Sequence, residues 1–305
     1  MVDVIVIGGG PAGLTAAVYA RRAGKSVLVI EKATFGGQIT WSPRVENFPG
    51  TISSSGSELG DRLLDQAMEQ GAEVELEEII SVIPAEDGKS FCLKAQSGTE
   101  YEAKTVILAT GAQPRKTGLP REEKLIGNGI CFCAVCDGAF YQKKPVAVYG
   151  GGNSALQEAL LLSEKCSRVY LIHRRDAFRG EAKLAEALKA RDNVEFILNA
   201  TVTQLHGETE LTGITVDVAG EERELPIDGL FVAIGQVPDN GIVSELIALD
   251  QSGFAASGED CRTEVPGLFV AGDCRTKPVR QVSTACADGA VAALAACSRI
   301  DSMEG

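Results

Sequence analysis

The chain is short of positive charge. Its 305 residues carry 29 lysines and arginines against 42 aspartates and glutamates, a net charge of −13. Nucleic acid and anionic membrane are bound through clustered Lys and Arg, so this deficit argues against both as partners. A long hydrophobic run is also lacking. The apolar start, Val4 to Ala20, is cut by Gly8, Gly9, Gly10, Pro11 and Gly13. It therefore reads as strand, turn and helix, not as a membrane span. No signal peptide is visible, because an apolar strand begins by residue 4 and runs straight into the glycines. Histidine is scarce, with His173 and His206 the only two. Low-complexity tracts are absent. What remains is an ordinary globular composition, 45% apolar and 23% charged. At this length an ample core needs no disulfide staples.

Nine cysteines are present, yet only Cys133 and Cys136 have paired spacing. In a small secreted domain nine would suggest staples; in a large chain with nucleotide motifs they read as cytosolic thiols, one pair of them reactive. From the residues alone the Cys133-Ala134-Val135-Cys136 run has three readings: a redox pair, half of a zinc site with Cys131 as a third ligand, or inert buried thiols. No second pair or close histidine completes a zinc set, so no metal is expected. A Cys-x-x-Cys pair cycles between dithiol and disulfide. Asp137 abuts the pair and is the nearby acid–base candidate, with a helix cap or turn as its plainer role. The other seven cysteines read as small packing residues.

Two dinucleotide fingerprints frame the pair. In the first, Val4 to Ile7 form a strand, Gly8-Gly9-Gly10-Pro11-Ala12-Gly13 follow, Leu14 to Ala23 read as a helix, and Val27 to Ile30 form a strand ending at Glu31. In the second, Val146 to Tyr149 lead into Gly150-Gly151-Gly152-Asn153-Ser154-Ala155. A helix to Ser163 and a strand ending at His173 come next. Glu31 lies 23 positions after Gly8, and His173 lies 23 after Gly150. The two units read as copies of one architecture. Gly8, Gly10 and Gly13 allow a tight turn and aim a helix N-terminus at a pyrophosphate, with Glu31 placed to accept from a ribose hydroxyl. Gly150 and Gly152 repeat the turn, but His173 stands where the acid stood and is followed by Arg174, Arg175 and Arg179. Guanidinium forks suit a 2′-phosphate, so the second site favours NADPH over NADH. The plainer reading of the arginines is a solvated basic turn.

Three further apolar runs end in glycine, at Gly111, Gly235 and Gly272, and open α/β sheets bind ligands at such strand ends. Pro114 and Pro238 mark two crossings between domains. The expected fold is α/β: two three-layer, Rossmann-like nucleotide-binding domains. The first is discontinuous, residues 1–112 and 241–305. The second, 113–240, is inserted in it and carries the cysteine pair.

These residues resemble the bacterial-type, low-molecular-weight thioredoxin reductases, within the FAD/NAD(P)-dependent disulfide oxidoreductases. The resemblance covers nearly the whole chain. It rests on both glycine loops, Gly36-Gly37-Gln38, Val45 to Gly50, Ala109-Thr110-Gly111, Cys133 to Gly138, His173-Arg174-Arg175 with Arg179, and Gly272-Asp273 through Arg280-Gln281-Val282. It implies FAD in the first domain, NADPH in the second, a homodimer, and thioredoxin or a thioredoxin-like protein as partner in the cytoplasm. Gln38, Asn47 and Gly111 would line the FAD site and Asp273 would bind FAD. Arg280, Gln281 and Val282 would approach the flavin. Cys136 would face the flavin, Cys133 would attack the partner, and Asp137 would manage a proton. Electrons would run from NADPH to FAD to the Cys133–Cys136 disulfide to oxidised thioredoxin. The nicotinamide and the thiols share one domain, so a hinge near Gln113 and Asn240 is expected to bring each to the flavin.

Glutathione and lipoamide reductases place their cysteine pair just after the first βαβ unit, where Phe35 to Trp41 here has none. Rival readings of the chain are a flavoprotein with a different disulfide partner, a relative fed by ferredoxin, a dithiol oxidase, and a non-catalytic sensor. Ferredoxin-fed and oxidase relatives tend to lack the NADP signature that this chain keeps.

Overall fold

The computed structural model describes residues 1–42 and 44–304. The chain divides into two compact units: Met1–Gln113 with the segment from Val237 onward, and Pro114–Gln236.

The first unit opens with β1 (Val2–Ile7), α1 (Pro11–Arg22) and β2 (Val27–Glu31). β1 is buried on both faces, as parallel strands covered on each side must be. Val4 and Val6 join the α1 side of the core, while Ile5 and Ile7 join the opposite side. Full burial of such a side chain is worth about 1.5–3 kcal/mol. α1 starts three residues before the helix read from sequence, because Pro11 sits at its first position with φ pre-set and no N–H to lose. α2 (Gly56–Glu69) begins with a reciprocal cap between Ser55 and Glu58. β3 (Glu73–Leu76), β4 (Ile79–Pro84), β5 (Phe91–Ala95) and β6 (Glu100–Leu108) complete the sheet in the order β3-β2-β1-β6-β5-β4. β1, β2, β3 and β6 run parallel; β4 and β5 are antiparallel additions. The chain leaves through β7 (Ala112–Pro114).

The second unit contains α3 (Glu122–Leu125), β8 (Ile130–Cys131), α4 (Ala134–Asp137), β9 (Pro145–Tyr149), α5 (Asn153–Ser163), β10 (Arg168–His173), α6 (Ala182–Lys189) and β11 (Val194–Leu198). An antiparallel layer of β12 (Ala200–His206), β13 (Gly213–Val218) and β14 (Glu221–Leu225) follows, then β15 (Gly229–Val232). The parallel sheet has the order β11-β10-β9-β15-β8. Val146 and Val148 pack toward α5, and Ala147 packs with Val202, Ile214 and Val216 of the antiparallel layer. The layers are thus helix, parallel sheet and antiparallel sheet.

The chain returns through β16 (Gln236–Pro238), which pairs with β7. In the first unit β17 (Leu268–Val270) then pairs with the end of β6, and α7 (Val282–Glu304) packs on α1. The approach of these helices needs glycine: a Cβ at Gly289 would lie 2.1 Å from the Ala12 carbonyl oxygen.

Candidate functional site

The first glycine loop joins β1 to α1. The Gly8 N–H donates to the Ile30 carbonyl at 2.8 Å, and Gly8 takes φ +109°. A Cβ there would lie 2.3 Å from the Ala109 carbonyl oxygen, and one at Gly13 would lie 1.9 Å from the Gly8 carbonyl oxygen. Backbone contact therefore fixes both glycines. Gly10, the residue before α1, meets nothing within 4 Å at its Cβ position, and no side chain caps the helix. That combination leaves an open helix N-terminus suited to an anion. Glu31 accepts from the Gly9 N–H at 2.7 Å and the Ala33 N–H at 2.9 Å, which fixes its carboxylate at the loop.

Two distant segments of the same unit add to this loop. Gly272 packs against Ala12 in the first turn of α1, its Cβ position 2.8 Å from the Ala12 Cβ, and carries Asp273 with it. Asp273 Oδ1 is buried with no hydrogen-bond partner among the described residues. Burial pushes this carboxyl up to about 6, while Lys277 and Arg280 pull the other way. Arg280 donates to the Asp273 and Arg275 carbonyls and lies over the Phe254 ring, 4.1 Å from its centre. Asn47 donates to Gln281 Oε1 at 3.2 Å. Gln38 donates to the Ala112 carbonyl next to Gly111, which itself has φ +70° and open space at its Cβ position. Val282 begins α7.

The second loop repeats the first with different side chains. The Gly150 N–H donates to the Ile172 carbonyl at 3.0 Å, and a Cβ at Gly150 would lie 2.3 Å from the Ala233 carbonyl oxygen. Ala155 stands where Gly13 stood. Gly152 precedes α5 with open space and no side-chain cap. His173 is buried, stacks on Phe178 and covers Gly151, where a Cβ would lie 2.2 Å from its Nδ1. Burial lowers its pKa and the charges of Arg179, Arg175 and Arg174 add to the effect, against a hydrogen bond to the Ala177 backbone. Its Nε2 is buried without a hydrogen-bond partner among the described residues. The Gly151 carbonyl accepts from the Arg179 and Gly180 N–H groups, tying the basic segment to the glycine turn. Arg174, Arg175 and Arg179 are exposed, and none has an ion-pair partner among the described residues. The Asn153 side chain is engaged at the start of α6, accepting from the Glu181 N–H at 2.7 Å; Ser154 is exposed.

Cys133 and Cys136 form a disulfide with Cα atoms 5.3 Å apart, around the single turn of α4. Cys133 Sγ accepts from the Cys136 N–H at 3.2 Å, and the Asp137 N–H donates to the Cys133 carbonyl. Val135, between the two cysteines, is 61% exposed. Asp137 Oδ1 is buried without a hydrogen-bond partner among the described residues. Burial pushes the Asp137 carboxyl up to about 6, opposed by the Cys131 thiol. Cys131 Sγ and the Tyr141 hydroxyl are 3.3 Å apart behind the turn, and burial raises both groups.

Two carboxyls in these surroundings have no motif around them. Glu158 on α5 is half-buried near the redox turn with its Oε2 out of solvent, and Asp288 on α7 accepts from Gly272 N–H, Arg275 and Lys277. Each breaks a helical apolar stripe, Ala155-Glu158-Ala159-Leu162 and Ala285-Asp288-Gly289-Ala292. That break is the signal a sequence reading can use.

The unpartnered oxygens, the open helix N-termini and the uncommitted arginines fit dinucleotides. Known proteins point the same way. The model of the pyridine nucleotide-disulphide oxidoreductase family matches residues 2–289, and the chain belongs to that family. Within it, the chain is 41% identical over 294 residues to thioredoxin reductase of Bacillus subtilis, covering 95% of this chain and 92% of that protein. It is 41% identical to thioredoxin reductase of Treponema pallidum, covering 99% and 98%. The crystal structure of thioredoxin reductase from Streptococcus pyogenes superposes with a TM-score of 0.92 at 35% identity, covering 99% of both chains. These relatives support thioredoxin reductase, an NADPH-dependent flavoprotein oxidoreductase, as the enzyme class. The family implies FAD and NADPH as cofactors, and the relatives imply thioredoxin as partner.

Proposed function

We propose that the first unit holds FAD, that the second holds NADPH, and that Cys133 and Cys136 pass the electrons to the disulfide of a thioredoxin. The observation that carries this reading is one disulfide turn in the same compact unit as a glycine loop flanked by three uncommitted arginines. When bound, the nicotinamide supplies a hydride and the flavin delivers its two electrons to the disulfide.

In the first unit Gly8, Gly10 and Gly13 bring the N-terminus of α1 to the pyrophosphate, and Glu31 takes a ribose hydroxyl. Asp273 Oδ1, buried and unpartnered, is an acceptor for a further hydroxyl. Gln38, Asn47, Gly111, Arg280, Gln281 and Val282 complete the pocket. In the second unit Gly150, Gly152 and the backbone of Asn153, Ser154 and Ala155 take the second pyrophosphate. His173 closes the turn, and Arg174, Arg175 and Arg179 clamp the 2′-phosphate.

The exchange chemistry follows from the turn. The Cys136 N–H aimed at Cys133 Sγ favours a thiolate there, which makes Cys133 the attacking sulfur. It forms a mixed disulfide, and the partner's first sulfur leaves as a thiolate and takes a proton. Cys136 then attacks Cys133, the Cys133–Cys136 bond re-forms, and the second partner sulfur leaves. Asp137, its carboxyl raised toward neutrality, is placed to hold and give the proton.

The thiols and the NADPH loop belong to one unit, so the two units take turns in orientation about the crossings near Gln113 and Asn240. We place the enzyme in the cytoplasm as a homodimer. The described residues contain no helix long and apolar enough to cross a membrane.

Anaerobic titration tests the reading. NADPH should bleach the yellow enzyme, and oxidised thioredoxin should restore the colour. Bleaching with no recovery on any thioredoxin, but recovery on another protein disulfide, would move the partner. Bleaching by reduced ferredoxin and not by NADPH would move the donor.

A further inference from the structure

The redox turn is backed by a second carboxyl that neither nucleotide loop uses. Glu158 lies three residues after Ala155 and four before Leu162, on the face that α5 turns to the core. α4, the redox turn, packs against α5. Glu158 Oε2 is buried without a hydrogen-bond partner among the described residues, and so is Asp137 Oδ1. Burial pushes the Glu158 carboxyl up to about 8; the Ala134 N–H, between the cysteines, lowers it, and charge on Asp137 raises it. The Cys131 thiol is in turn raised by burial and by charge on Asp137 and Glu158.

Among the described residues no cation acts on Glu158. Lys183, Glu186 and Lys189 of α6, the other helix packed on α5, are exposed. Tyr149 of β9 and Arg168, Tyr170 and His173 of β10 are not among the groups that shift Glu158; Tyr141 and Asp228 lie on the Cys131 side. Two half-buried carboxyls with no cation between them ionise one after the other, Glu158 last, because the second charge has little solvent and no counter-ion.

We propose that Glu158 is a positioning residue for the thiol–disulfide exchange: with Asp137 it keeps one proton in store behind the Cys133–Cys136 turn. The inference rests on Asp137 as proton donor. When the partner's sulfur leaves, the Asp137 O–H bond breaks and an S–H bond forms. The Glu158 O–H then breaks and re-forms on Asp137, and Glu158 recovers its proton from water. Only protons move; the two electrons remain those of the exchange proposed above.

The test uses the FAD-loaded enzyme, reduced with dithiothreitol and alkylated by iodoacetamide at Cys133 from about pH 6 to about pH 9.5, a range spanning ordinary thiol ionisation. Glu158→Gln should match the wild-type rate within about twofold below pH 7, where Glu158 is neutral. Its alkylation profile should reach half-maximum up to about one pH unit lower than that of the wild type, because a like charge worth up to about one pKa unit is gone. Glu158→Asp should return the profile toward wild type. Superimposed profiles for wild type and Glu158→Gln across the whole range would overturn the proposal.

If Glu158→Gln fails to hold FAD, the wild-type enzyme decides. With carboxyl-labelled glutamate, the infrared difference between disulfide and dithiol forms should contain a protonated-carboxyl band that moves with the label. Its absence near neutral pH would also overturn the proposal. Asp137→Asn keeps the two ideas apart. Unchanged thioredoxin reduction in that variant would sink the role of Asp137 itself. Slowed reduction, together with a wild-type profile for Glu158→Gln, would sink only the role of Glu158.

Discussion

The two glycine loops share a backbone and differ in what faces it. At Gly8 and Gly150 the same 2.3 Å gap separates a would-be Cβ from a neighbouring strand's carbonyl oxygen. At Gly10 and Gly152 the same open space precedes a helix with no side-chain cap. Between them, at Gly9 and Gly151, the likeness ends. Glu31 is bonded to the Gly9 N–H, whereas His173 covers Gly151 and introduces three arginines with no ion-pair partner among the described residues. Identical backbone demands fix identical glycines, while the residue at the end of the second strand differs, and that is where we propose the ribose is chosen. The comparison also separates chemistry from binding: only the second unit carries a disulfide among the described residues.

The largest expected effect breaks the comparison at that point. Cys133→Ser or Cys136→Ser should cut thioredoxin reduction by at least about 10³-fold, since a lone thiol cannot complete the exchange. FAD content should stay at the wild-type level, because the first unit is untouched. Cys136→Ser should accumulate a mixed disulfide through Cys133, detectable on non-reducing gels. Accumulation by Cys133→Ser in its place would exchange the two roles.

Gly8→Ala and Gly150→Ala sharpen it. Both push a methyl into backbone, but Gly8 also sits at φ +109°. Gly8→Ala should cost about 3–5 kcal/mol and Gly150→Ala about 1–3, by overpacking with and without left-handed strain. Thermal melts and cofactor content read the result. Gly8→Ala should lose FAD, while Gly150→Ala should keep FAD and bind NADPH more weakly. Loss of FAD from Gly150→Ala with an unchanged melt would reverse the assignment of the units.

A smaller effect isolates the side chains. Replacing Arg174 and Arg175 together by Gln should raise KM for NADPH by about 10- to 100-fold, as charge-assisted phosphate contacts are worth about 1.5–3 kcal/mol each before desolvation losses. KM for NADH should change by less than about twofold. Equal losses with both cofactors would mean that the arginines serve the fold and not the phosphate.

Most of this organisation is legible in the sequence for a physical reason: glycines required by backbone contact and cysteines at fixed spacing are local demands. The βαβ units, both loops, the cysteine pair and His173-Arg174-Arg175 are all of that kind. Glu158 and Asp288 escape a sequence reading because their roles depend on what packs against a helix face. Sequence gives only the interrupted stripe. Asn153 reads as part of the NADPH loop, yet its side chain is engaged by Glu181, a partner 28 residues away that no local pattern announces. The start of α1 reads late because apolar periodicity begins at Leu14, after Pro11 has already opened the helix.

The smallest effect compares one buried carboxyl in each unit, Asp273 and Asp137, both pushed up to about 6 by burial. A carboxyl whose folded pKa lies above its unfolded value binds its proton more tightly in the native state. Its burial therefore costs nothing at low pH, and stability falls as pH rises from about 4 through about 6. For Asp273 the full penalty above that window is about 2 kcal/mol, after discounting for partial exposure. Asp273→Asn removes it. In FAD-stripped protein the variant and wild type should melt together near pH 4, and the variant should melt about 4 °C higher near pH 7. With FAD bound the order should reverse, because the wild-type carboxylate then receives a hydroxyl that Asn accepts less strongly. Asp137→Asn should show the same gain without FAD and keep it when FAD is added, since its unit is not the one proposed to hold FAD. A gain that FAD erases at Asp137 and leaves intact at Asp273 would place the flavin in the other unit.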